Sequence, residues 1–158
     1  IQIKLIISDN KSAKGLFFSK KYKIQKKIYR FVNKRNDEKM IIEKLKKNNI
    51  NLICLAGFMK ILSKNFIKSF KGKILNIHPS LLPKYKGLNT HLRVIRNKEK
   101  FSGCTVHFVT SKLDSGKIVL QKKVKISKKD TPTSLAKRIL VQEHLLYPKA
   151  IKKLFNNL

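Results

Sequence analysis

Apolar runs that read as strands alternate along this chain with stretches that read as helices, and this alternation constrains the fold more than any other feature. Residues 1–8 are rich in β-branched side chains and close at Ser8-Asp9-Asn10, a strand with its turn. Residues 13–22 read as a short helix with Leu16 and Phe17 facing inward. A strand is expected over 28–32. Asn36 or Asp37 can cap a helix running to about residue 49, with Met40, Ile41, Ile42 and Leu45 at helical spacing. Residues 51–56 form a continuous apolar run, as in a strand covered on both faces. Ser63 caps a helix over 63–70, and a strand over 73–78 is stopped by Pro79.

Residues 79–87 hold Pro79, Pro83 and Gly87 and must form a loop. A helix over 90–97 and an alternating strand over 104–110 follow. A turn at 113–116 leads to a strand over 118–126. Asp130-Thr131-Pro132 starts the last helix, which runs toward Phe155 with a bend expected near Pro148. The pattern predicts an α/β, doubly wound, mostly parallel sheet of Rossmann-like type, with the last two strands as an antiparallel extension.

Composition removes several function classes. The 158 residues suit one domain with a real core, and 42% hydrophobic content argues against disorder. No apolar run approaches the roughly 20 residues that span a bilayer. Cys54 and Cys104 lie at no disulfide or metal spacing, which predicts a reduced, cytoplasmic setting. Lys and Arg number 38 against 8 acidic residues, a net charge of +30. Such a charge invites a nucleic-acid partner. However, it is nearly all lysine, spread along the whole chain, with arginine only at 30, 35, 93, 96 and 138. Lys, Asn and Ile share AT-rich codons, so the charge reads as lysine drift at solvated positions rather than as a nucleic-acid footprint.

The candidate chemistry sits at a strand end, where open α/β sheets bind ligands. Period-two alternation puts Asn76 and His78 on one face and Leu75 and Ile77 on the other. Asp114, on the turn between the next two strands, can reach the same edge. On spacing alone, an oxyanion-binding, acid–base constellation and a satisfied structural pair both remain open. His78, His91, His107 and His144 fit no zinc spacing, and no metal is expected.

Five strings, in order, go further: 55–62 (Leu-Ala-Gly-Phe-Met-Lys-Ile-Leu), 75–91 with its Asn-Ile-His-Pro-Ser-Leu-Leu-Pro core, 103–110 (Gly-Cys-Thr-Val-His-Phe-Val-Thr), Leu113-Asp114-Ser115-Gly116, and Gln142-Glu143-His144 with Tyr147-Pro148. Together they resemble the phosphoribosylglycinamide formyltransferases, folate-dependent enzymes of purine synthesis in the formyltransferase superfamily. The resemblance covers nearly the whole chain and implies formyl transfer from 10-formyltetrahydrofolate to the amine of phosphoribosylglycinamide. A sister enzyme acting on a sugar nucleotide or methionyl-tRNA, or an inactive polyanion-binding remnant, are the alternatives.

The resemblance assigns Asn76, His78 and Asp114 as the catalytic trio. It implies folate contacts from Met59, Lys60, Ile61 and Leu62, from Asn76, and from Thr110, Ser111, Lys112, Leu113 and Asp114. Leu55 and Phe58 are candidates for an apolar wall, and Lys34 for the folate tail. Leu140, Val141, Gln142 and Glu143 match the ribotide-binding segment, Glu143 taking the ribose hydroxyls. His91 and His107 are expected to be structural or supporting, and Pro83 to follow a cis bond. The partners implied are small anions, with at most a weak homodimer. The match begins at the family's second strand. A single formyltransferase domain over 1–158 is therefore expected, N-terminally truncated by roughly 30 residues, without the opening strand and phosphate loop.

Overall fold

The computed structural model describes residues 1–155. They form two compact units, one built from Ile1–Asn51 with Lys68–Gly72, the other from Leu52–Ile67 and from Lys73 onward.

In the first unit, β1 (Leu5–Ser8) pairs in parallel with β2 (Gln25–Ile28), joined through helix α1 (Leu16–Lys21), and helix α2 (Lys34–Lys47) follows. Strand β2 lies three residues earlier than the 28–32 expected. Its register runs from Leu5↔Gln25 to Ser8↔Ile28, and Phe31 takes φ 56°, a left-handed conformation that no strand accommodates. Helix α1 turns Leu16 and Ser19 inward at i, i+3 spacing. Phe17, expected inside, is 63% exposed and packs edge-on against Phe18. The cap of α2 is Asn33, not Asn36 or Asp37: its side-chain oxygen accepts from the Asn36 N–H at 3.1 Å. Asp37 falls in the first turn, where a carboxylate complements the helix dipole. Ile41, Ile42 and Leu45 are buried together with Glu38, whereas Met40 is exposed.

The second unit carries the larger sheet. Its strands are β3 (Leu52–Leu55), β4 (Lys73–His78), β5 (Phe101–Phe108) and β6 (Ile118–Lys125), in the order β3-β4-β5-β6. Strand β3 runs parallel to β4, and β4–β5 and β5–β6 are antiparallel, so the antiparallel extension begins one pairing earlier than the last two strands. Strand β3 is half-buried with Cys54 exposed, because in this sheet it has a neighbour on one side only. The helices are α3 (Lys64–Ser69), α4 (Thr90–Arg96) and α5 (Pro132–Phe155). Ser63 Oγ accepts from the Phe66 N–H at 3.0 Å and caps α3 as expected.

Helix α5 supplies the core. Leu135, Ile139, Leu146 and Ala150 recur at spacings of four and seven, one stripe of a helix. They pack with Val94 of α4 and with Leu75, Cys104 and Val106 of the sheet. The helix continues through Pro148, whose missing N–H leaves the His144 carbonyl without its i+4 donor. The Tyr147 phenol lies 2.9 Å from the Leu55 carbonyl and 3.1 Å from that of Leu75, linking α5 to two strands.

Strand β5 is buried from Ser102 through His107, without the in–out alternation that residues 104–110 suggest. Both its faces are covered: Cys104 and Val106 meet the α5 core, while Thr105 meets the loop after β4. Gly103 is the close-approach point, since a Cβ there would lie 2.0 Å from the Lys122 carbonyl and 2.7 Å from Leu81. Among the described residues, no helix is long and apolar enough to cross a membrane.

Leu135 is fully buried, so Leu135→Ala should cost about 2–5 kcal/mol of stability. Urea unfolding followed by circular dichroism measures this, and a loss below about 1 kcal/mol would remove Leu135 from the core.

Candidate active site

The β4–β5 register creates the site. It sets Asn76 directly opposite His107 and His78 opposite Thr105, while Leu75 and Ile77 face the α5 core. Polar side chains of two adjacent strands therefore share the face away from α5. Asn76 Nδ2 lies 3.4 Å from His107 Nε2. His107 Nδ1 lies 2.9 Å from the Phe108 carbonyl, which can only accept, so Nδ1 carries the hydrogen. In the neutral ring Nε2 then accepts from the Asn76 amide, which leaves the rest of that amide turned to other partners.

His78 is buried, 6% exposed. Its Nε2 donates to the Tyr85 carbonyl at 2.9 Å, and its Nδ1 lies 3.5 Å from Asp114 Oδ2. Both ring nitrogens thus face acceptors, an arrangement that the doubly protonated ring satisfies. Asp114 Oδ2 also accepts from the Gly87 N–H at 2.9 Å, and its Oδ1 lies 3.6 Å from His107 Nε2. The carboxylate is therefore held by one imidazole and one backbone amide, and lies beside the Nε2 of His107. It does so from the left-handed region, φ 44°, which Asp tolerates better than most residues. Tyr85, Gly87 and Asn89 also have positive φ, so the loop facing Asp114 turns sharply.

Burial lowers the pKa of His107, with His78 acting in the same direction and the Phe108 carbonyl and Asp114 opposing. Burial, then the nearby His78, also lowers that of His91, whose Nδ1 is buried without a partner.

The trio Asn76, His78 and Asp114 is brought together, with His107 as a fourth member. Thr110, Ser111, Lys112 and Leu113 lead directly into Asp114, and the Thr110 hydroxyl turns the chain by accepting from the Lys112 N–H at 3.3 Å. Residues 59–62 follow β3, whose Leu55 is in register with Asn76. Met59 and Ile61 are exposed and Leu62 is buried; Phe58 is half-buried. Leu140, Val141, Gln142 and Glu143 lie on α5, which packs on the opposite face of the sheet from His78. Glu143 is half-buried, and burial pushes its carboxyl above the usual carboxylate range, with His144 countering. Lys34 begins α2 in the other unit. The Leu82–Pro83 bond is cis. Among the described residues, no group of three His, Cys, Asp or Glu is placed to hold a metal ion.

Sequence reasoning missed the Tyr85 carbonyl, the Gly87 amide and the place of His107 beside both Asn76 and Asp114. The two backbone atoms leave no trace in residue type. Alternation alone put Thr105 and His107 on one face, but only the pairing with β4 brings that face beside Asn76 and His78.

Fold and site together define the class: an α/β protein carrying an amide, an imidazole and a carboxylate at the carboxyl end of a sheet strand. The model of the formyl transferase family matches residues 1–151, and the chain belongs to that family. The chain is similar to phosphoribosylglycinamide formyltransferase of Haemophilus influenzae, 44% identical over 154 residues, covering 96% of this chain and 73% of that protein. It is 37% identical to the human trifunctional purine biosynthetic protein adenosine-3 over 96% of its own length, but spans only 15% of that protein. The match to the Chironomus tentans trifunctional protein spans 8% of it. Among solved structures, phosphoribosylglycinamide formyltransferase from Anaplasma phagocytophilum superposes with a TM-score of 0.91 at 40% identity, covering 99% of this chain and 74% of that one.

A histidine whose folded pKa is lowered binds protons more readily when unfolded. The stability from neutral His107 and His91 is therefore fully present above about 6.5, their ordinary value, and is lost as pH falls through their lowered folded values. Urea unfolding should show stability falling as pH drops below about 6.5, and His107→Asn should flatten that slope. An unchanged slope would mean that His107 is not held neutral by the fold.

Proposed function

We propose that this chain transfers a formyl group from 10-formyltetrahydrofolate to the amine of 5-phosphoribosylglycinamide, in the cytoplasm. The observation that carries this reading is the convergence of Asp114 on the end of β4 that carries Asn76 and buried His78, in a chain of the formyl transferase family.

The formyl donor supplies an electrophilic formamide carbon. Attack by an amine on such a carbon places negative charge on its oxygen. Asn76 donates an amide N–H to that oxygen, and its orientation is held by His107 Nε2. His78 donates a second hydrogen bond to that oxygen and then a proton to the folate nitrogen, which leaves as its bond to the formyl carbon breaks and the carbonyl reforms, while the Asp114 carboxylate lies 3.5 Å from the other ring nitrogen. Preorganised donors of this kind are worth roughly 3–4 kcal/mol each. Asp114 receives the proton lost by the attacking amine through a water, as a general base within reach of the site.

The chain's side chains suit both substrates. Met59 (72% exposed), Ile61 (63%) and Leu113 (52%) offer apolar surface beside the trio's strand end and on its turn, fit for a planar heterocycle. Lys60 and Leu62, with the backbone of Thr110, Ser111 and Lys112, complete the proposed folate contacts. Leu140, Val141 and Gln142 line the ribotide segment. Glu143 accepts the ribose hydroxyls, which return polar partners to a half-buried carboxyl. The net charge of +30 draws both anionic substrates in.

Asp114→Asn should fold normally and lower kcat by at least about a hundredfold. A direct assay of formylglycinamide ribotide measures it, and near-normal turnover would remove Asp114 from the mechanism. His78→Ala should lower kcat and kcat/KM together; a change in KM alone would make His78 a binding residue only.

A further inference from the structure

Both members of the His78–Asp114 pair are anchored to main-chain atoms of one loop: His78 to the Tyr85 carbonyl, Asp114 to the Gly87 amide. What holds that loop lies three to seven residues upstream. The Thr105 hydroxyl donates to the Ser80 carbonyl at 2.6 Å and accepts from the Leu82 N–H at 3.1 Å. Gln121, opposite Thr105 on β6, sends one amide N–H to the Leu82 carbonyl at 2.8 Å and the other to Thr105 Oγ1 at 2.8 Å. The hydroxyl's one hydrogen and two lone pairs are all used, and so are both amide hydrogens. Thr105 and Ser80 are fully buried and Leu82 is 5% exposed, so water cannot replace the two bonds that Thr105 makes to the loop, whereas Gln121 is exposed and closes the cluster from the solvent side. Ser80 Oγ in turn donates to the Lys84 carbonyl at 2.7 Å, next to Tyr85.

We infer that Thr105 and Gln121 form a clamp that positions His78 and Asp114 for the reaction by fixing residues 80–87. They are positioning residues, acting through the loop rather than touching substrate. The inference rests on the formyl-transfer reading for its kinetic consequence only; its geometric content stands on the hydrogen bonds above. The clamp couples β5 and β6 to the site, and a sub-ångström shift at Leu82 moves the Tyr85 and Gly87 anchors together. Such misplacement at a distance lowers turnover more than binding.

The test compares Thr105→Val, nearly isosteric, with Thr105→Ser, which keeps the hydroxyl. Thr105→Val should lower kcat at least tenfold with KM for both substrates within about twofold, and should move the pH profile of kcat. Thr105→Ser should restore most of the activity and the original profile. Gln121→Leu gives a second, independent variant, and the double variant should be non-additive because the two residues share a hydrogen bond. The 15N resonances of the His78 ring, followed by NMR, should shift in Thr105→Val and Gln121→Leu and return in Thr105→Ser. Unchanged kcat, pH profile and His78 resonances in a folded Thr105→Val or Gln121→Leu protein would overturn the clamp. If the unmodified chain shows no formyl transfer, the function fails instead, and the NMR comparison still decides the clamp.

Discussion

The antiparallel pairing of β4 with β5 is the contact on which the rest of this structure depends. It seats Asn76 against His107 and His78 beside Thr105, and it turns Leu75 and Ile77 onto α5. A slip of one residue would exchange these faces, burying Asn76 and His78 in an apolar core and exposing Leu75. Core packing and site assembly therefore select the same register. Leu75, Val106 and Cys104 stabilise it from one side, and the polar network around Thr105 from the other.

Order within the site follows from how its charges are buried. Asp114 is a carboxylate in a confined place, and such a group is tolerated only with partners. It has two, the His78 ring and the Gly87 amide, and each is also something the chemistry needs held still. His78 cannot turn without breaking its bond to Tyr85, and Asp114 cannot withdraw without exposing the Gly87 amide. Desolvation that would otherwise be a cost thus enforces geometry, at a strand end where the backbone is already rigid.

Much of this was legible in residue order, and the failures have physical causes. The strand and helix succession followed from hydrophobic spacing, and alternation over 73–78 placed Asn76 and His78 on one face. Boundaries failed where a local signal competed with another: Asn33 outcompetes Asn36 because only its side chain meets the free N–H. Phe17 failed because a helix of six residues has one inward stripe, already filled by Leu16 and Ser19. Strand β5 hid its depth because two different coverings bury its two faces, a fact that no local period encodes. His107, expected to be structural or supporting, meets Asn76 from a strand 31 positions away, a pairing that residue order alone does not give.

The anchors of the His78–Asp114 pair are a carbonyl and an amide, and every residue other than proline has both. Side-chain identity at Lys84 and Lys86 is thereby uncoupled from the hydrogen bonds that hold the pair, whereas Gly87, at φ 75°, is fixed by its backbone conformation. Lys84 and Lys86 point outward from the same loop, exposed to solvent, and contribute charge without entering the trio. A genome drifting toward lysine codons can rewrite such positions at little cost to the chemistry. It meets resistance at Ser80, Thr105, His107 and the trio itself, where the side chain is the contact. The unusual composition of this protein and the order of its site are compatible because they are written on different atoms.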